Sequence, residues 1–153
     1  MQSSLTRLPL GWIVGRTQAM DVAIVALNQA VRTVEHWGTL GDALAAEVTA
    51  APDLVLVCQH WSDEYRTDEV EQLLATCPLA RVICCYGPWC ASDGRTRNVW
   101  PLALRVPVEQ AAMRIEAERL VALGLRAPLP CTATVEEIFA FDAESWVASS
   151  ATH

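Results

Sequence analysis

The chain has 153 residues, a formal net charge of −7, 52% hydrophobic and 19% charged residues, and 11 basic residues that are all arginine. That length suits one core of roughly 100 to 150 residues, and the apolar fraction argues against disorder over most of the chain. An acidic surface argues against non-specific nucleic-acid or anionic-membrane binding, and the absence of lysine excludes any chemistry that needs its ammonium group.

The opening stretch, MQSSLTRLPLGWIVG, carries no sustained apolar run, and no window reaches the roughly 18 apolar residues that span a bilayer. The chain therefore reads as soluble and cytoplasmic. Six cysteines (Cys58, Cys77, Cys84, Cys85, Cys90 and Cys131) stand at spacings that favour reduced thiols over a disulfide framework. Cys58, Cys84 and Cys85 fall within apolar runs, where a free thiol behaves as a small hydrophobe.

Leu8, Leu10 and the run Gly11 to Val14 predict a first strand closed by Gly15. From Thr17, a possible N-cap, Met20, Ile24, Leu27 and Val31 recur at helical spacing. Arg32 to Trp37 alternates and reads as a second strand, at an edge, ending at Gly38. Thr39 then caps a helix to about Ala50 with Leu40, Leu44 and Val48 on one face. The run DLVLVC, Asp53 to Cys58, is too short and too β-branched for a helix and marks a strand covered on both faces.

Thr67 is expected to cap a third helix, with Asp68 and Glu69 in its first turn and Val70, Leu73 and Leu74 facing inward, until Pro78 stops it. Arg81 to Tyr86 predicts a fourth buried strand. The stretch from Gly87 to Pro101 has no helical pattern, so an irregular loop replaces or shortens the fourth helix there. Leu102 to Val106 predicts a fifth strand, and Glu109 to Leu123 an amphipathic helix with Ala112, Ile115, Ala117, Leu120 and Val121 toward the core. Pro128 and Pro130 suggest a linker, and Thr134 with Glu137 fits a capping box before Ile138, Phe139 and Phe141.

Five strands alternating with helices imply an α/β fold, a doubly wound five-stranded parallel sheet of flavodoxin-like type. The expected division is an α/β domain over residues 1–124 and a linker and C-terminal tail over 125–153. That tail either docks on the domain or leads into a missing one.

The segment Pro52 to Cys58 and the fivefold alternation over roughly residues 8 to 123 resemble CheY-like response-regulator receiver domains. The resemblance implies an aspartate nucleophile at the end of the third strand, acids after the first, a hydroxyl after the fourth and a lysine before a proline after the fifth. Here those positions hold Cys58, Gly15 and Arg16, Cys85 (or Tyr86), and Val106 before Pro107. Phosphoryl transfer to aspartate needs the carboxylates, Mg²⁺ and the cation, so the resemblance is to a degenerate receiver, or pseudo-receiver, that cannot accept phosphate. The function it implies is a non-catalytic regulatory or protein-interaction module, with no cofactor and an unidentified protein partner, a second copy among the candidates. The first turn, VGRTQA, fits neither a dinucleotide fingerprint nor a phosphate-binding loop.

Ligands of open parallel sheets bind beyond the carboxyl ends of the strands. His60, Trp61, Trp89, Ser92, Asp93, Gly94, Arg95, Arg97 and Trp100 are expected to gather there. The SDGRTR loop offers arginines and hydroxyls to an anionic small molecule, the alternative function, or else pins itself to its own acidic surface. The tryptophans either form a partner surface or pack the loop. His60 with Cys58 and Cys90 lacks the spacing of a metal site, and nothing completes a thiol nucleophile activated by His60.

Overall fold

The computed structural model describes residues 6–46, 51–60, 64–87, 100, 104–129, 133–134, 136–138 and 140–141. Strands β1 (Leu8–Val14), β2 (Val31–Trp37), β3 (Leu54–Gln59), β4 (Arg81–Tyr86) and β5 (Arg105–Pro107) alternate with helices α1 (Asp21–Ala30), α2 (Leu40–Ala45), α3 (Thr67–Thr76) and α4 (Ala111–Ala122). The sheet is parallel throughout and ordered β2-β1-β3-β4-β5, the flavodoxin-like order expected from the alternation. Strand order reverses between β1 and β3, so the switch point lies beyond Val14 and Gln59.

Alternation along the strands divides two cores. Leu54, Leu56 and Cys58 of β3 and Ile83 and Cys85 of β4 face α1 and α4. Val55, Val57, Val82 and Cys84 face α2 and α3. All six residues of β3 are buried, which is why that strand shows no polar period in the sequence. Strand β2 lies at the sheet edge, and Arg32, Glu35 and His36 on it blunt further strand pairing.

Several boundaries differ from the sequence reading. Helix α1 starts at Asp21, because Met20 N donates to Thr17 O in a preceding turn and Ala19 takes a positive φ of 62°. Thr17 is thus a turn residue, and Met20 occupies the cap position without a side-chain bond. Val31 leaves the helix to pair with Leu8, where its β-branched side chain is buried. Arg66, not Thr67, stands at the cap of α3. Thr39 does cap α2, accepting from Asp42 N at 3.0 Å. The loop expected in place of a fourth helix lies outside the described residues, and β5 is shorter than predicted, three residues from Arg105.

Helix α4 departs furthest. Its buried residues are Ala111, Arg114, Ile115, Ala117, Glu118 and Arg119, while Ala112 is exposed. Of the residues expected toward the core, Ile115 faces the sheet, whereas Ala117 and Val121 lie in a separate cluster on the other side. There Leu129, Ala133 and Phe141 pack around Ala117, with Ile138 against them. The Phe141 ring lies under the guanidinium groups of Arg126, 4.0 Å from its centroid, and Arg114, 5.5 Å away. Arg126 also donates to the Phe141 carbonyl. The Thr134 capping box closes reciprocally, Glu137 N donating to Thr134 Oγ1 at 3.2 Å and Thr134 N to Glu137 Oε1 at 3.3 Å.

Candidate functional site at the strand carboxyl ends

Cys58, Cys85 and Val106 are register neighbours across β3, β4 and β5, and they form one row on the α1 side of the sheet. All three are buried to within 1% of full enclosure. The positions compared with a receiver's nucleophile, hydroxyl and lysine therefore adjoin one another, but as core. Met20 closes over the row, its Sδ 3.6 Å from Cys85 Sγ, and it too is fully buried. Burial, and secondarily the charge of Glu64, pushes the Cys58 thiol up to about 12. Burial likewise lifts Cys85 to about 12, with Cys58 and Glu109 adding to it. Both are neutral at physiological pH, so neither serves as a nucleophile.

Gly15 lies at the end of β1 with φ +99°, which a side chain rarely adopts. A Cβ there would fall 2.2 Å from the Tyr65 hydroxyl and 2.8 Å from the Cys58 carbonyl oxygen. The glycine is thus required by the tyrosine, whose hydroxyl donates to Cys58 O at 2.6 Å across the switch point. Burial raises the Tyr65 hydroxyl far above its ordinary value, so it remains a donor. Trp100 packs edge to face on Tyr65 at 5.8 Å between centroids and is itself buried. Trp100 belongs to the core cluster on the α2 and α3 side of the sheet.

Two histidines hold the connection from β1 to α1. His36 Nε2, on the edge strand, lies 3.0 Å from Gly15 O, and His60 Nε2, beyond β3, lies 2.7 Å from Gln18 O. His60 N also donates to Glu64 Oε1 at 2.6 Å. His60 is therefore a loop clamp and not a base aimed at Cys58. Arg16, on the same connection, is exposed. Trp61, Trp89, Ser92, Asp93, Gly94, Arg95 and Arg97 lie outside the described residues.

The functionally placed residues that sequence reasoning passed over are Met20, His36, Glu64 and Tyr65. Met20 looked like one more helix-face residue, and Tyr65 sat in a polar stretch with no period. Its only trace was Gly15, a glycine where a strand ends. Among the described residues, no three His, Cys, Asp or Glu side chains gather to hold a metal ion. A groove of about 220 Å³ opens elsewhere, near the amino ends of the strands, lined by apolar groups that include Trp12, Leu44, Pro52 and Cys77.

Comparison with protein families, with curated proteins and with solved structures finds no match to this chain. Function has to be argued from the site. No helix among the described residues is long and apolar enough to cross a membrane.

Proposed function

We propose that this chain is a non-catalytic, receiver-like regulatory or protein-interaction module that does not accept phosphate. The observation that carries the reading is the closed switch point, where Tyr65, Met20, Cys58, Cys85 and Val106 fill the space with buried, uncharged groups. An acyl-phosphate site needs a carboxylate nucleophile, acids to hold Mg²⁺ and a cation for the phosphoryl oxygens. Packing has replaced all three.

An interaction role is further supported by α1. Val22 and Val25 on its outer side are 54% and 56% exposed, on a helix whose polar residues are confined to its ends. Apolar side chains grouped on one exposed helix face mark association surfaces more often than isolated ones do. The test has two arms. Incubation with acetyl phosphate and Mg²⁺, read by intact mass, is expected to leave the chain unmodified; stoichiometric labelling would overturn the reading. Val22→Glu with Val25→Glu is expected to abolish association, whether with itself by sedimentation or with a partner recovered by cross-linking. Association unchanged in that variant would remove α1 from the case.

The alternative, an anionic small molecule held by Ser92, Arg95 and Arg97 with His60, rests on a loop outside the described residues, and His60 is bonded to Gln18 O.

A further inference from the structure

We propose that Met20, Cys58 and Cys85 form a binding site for one soft monovalent cation, copper(I), enclosed between α1 and the sheet. Three separate elements contribute the three residues, which belong to one core cluster. Cys58 and Cys85 stand side by side in register on adjacent parallel strands, with their side chains on the same face. Strands so paired run about 4.8 Å apart, which brings the two thiols within reach of a shared ion. Met20 comes down from the start of α1 to place its thioether 3.6 Å from the Cys85 thiol.

The donor set chooses the ion. Thiolate and thioether are soft ligands, which select copper(I) over hard or borderline cations. Zinc takes four ligands in a tetrahedron. Among the described residues, Ala23, Ile83, Val106 and Ala111, which share the core cluster with the three sulfurs, are apolar, and His60 is engaged with Gln18 O. Cys84 is not part of the set, because it lies on the opposite face with its Sγ 3.3 Å from Gln59 Oε1. Low coordination among buried apolar side chains suits a closed-shell monovalent ion that takes two or three sulfurs.

Binding is written without electron transfer. One copper(I) ion displaces the protons of both thiols, forming two copper–sulfur bonds and releasing two protons, while the Met20 thioether adds a third, neutral ligand. The product carries one net negative charge. Met20 occupies the amino-terminal cap position of α1, where no side chain caps the helix and the macrodipole favours negative charge.

The test is an anaerobic titration with copper(I), supplied as its acetonitrile complex, against a chromophoric copper(I) chelator. It uses the full chain with Cys77, Cys90 and Cys131 changed to serine, so that Cys58, Cys84 and Cys85 are the remaining thiols. One equivalent per chain is expected, with a thiolate-to-copper absorption band in the near ultraviolet and a raised melting temperature. Met20→Leu keeps the volume and is expected to weaken binding by about tenfold or more. Cys85→Ala should abolish it, and Cys84→Ala should leave it unchanged. Far-ultraviolet circular dichroism verifies that each variant is folded. The proposal is overturned if copper(I) does not bind in this background, which would make the cluster core packing only. Wild-type affinity in Met20→Leu, equal dependence on Cys84, or equally tight zinc binding would each overturn it as well.

Discussion

At the carboxyl ends of the strands, side-chain donors serve backbone carbonyls, whereas along α4 charged side chains meet in pairs. The first region uses Tyr65 on Cys58 O, His36 on Gly15 O and His60 on Gln18 O. The second uses Arg81, which reaches Glu118 through two bonds of 3.2 Å, and Arg119, which pairs with Glu116 and donates to Thr6 O at 2.7 Å. A site that performs charge chemistry holds ions where ligands arrive. In this chain the ion pairs instead lie along α4, and the carboxyl end of the sheet is closed by Tyr65, Met20 and thiols that stay protonated.

The contrast can be broken most severely on the ionic side. Glu118→Ala leaves Arg81 and Arg114 without their buried counter-charge and is expected to cost about 3 kcal/mol, the low end for a broken buried pair because Arg81 keeps some solvent. Replacing both partners, as Arg81→Met with Glu118→Met, is expected to recover most of that loss, since apolar substitution of a whole pair is often near neutral. Urea unfolding of the three variants measures both. Equal stability of Glu118→Ala and wild type would mean that water reaches the pair.

On the sealed side, Gly15→Ala forces a side chain onto the Tyr65 hydroxyl in a backbone region unfavourable to alanine. The expected loss is about 2 to 3 kcal/mol. Tyr65→Phe in the same chain removes the closest clash and should restore part of it, so a double-mutant cycle gives a positive coupling. Additive effects would show that Tyr65 does not close the switch point.

The smallest expected effect per residue sharpens the comparison by pH. Cys58 and Cys85 have folded values pushed up to about 12 from an ordinary 9.0, so the unfolded chain loses those protons first as pH rises. Their contribution is complete below pH 9 and lost progressively between about 9 and 12. Going from pH 8 to pH 10 should remove about 3 kcal/mol for the two thiols, at roughly 1.4 kcal/mol per thiol per pH unit once the unfolded thiol has titrated. Tyr65 shifts in the same direction and adds to the loss at still higher pH. In Cys85→Ala the loss should fall by about one thiol's share. A pH-independent stability over that interval would mean that the thiols are not enclosed.

The strands, their parallel arrangement and the Thr39 and Thr134 caps were legible in the sequence, because β-branched runs, alternation with helices and cap residues are local properties that survive without knowledge of neighbours. The receiver comparison also picked out Cys58, Cys85 and Val106, and counting along successive strands was enough to find three positions that register brings together. The roles of Met20, Tyr65 and the two histidines were not legible. Each acts on a residue 7 to 65 positions away, through contacts that leave no periodic mark. Glu118 and Arg119 fall outside the apolar pattern of the helix, and partners distant in sequence, Arg81 and Thr6, meet them in the interior. Sequence by itself determined which segments extend, which coil and in what order they must layer. Tertiary structure decided what fills the end of the sheet, because burial is a property of the partner across the gap and not of the residue that is buried.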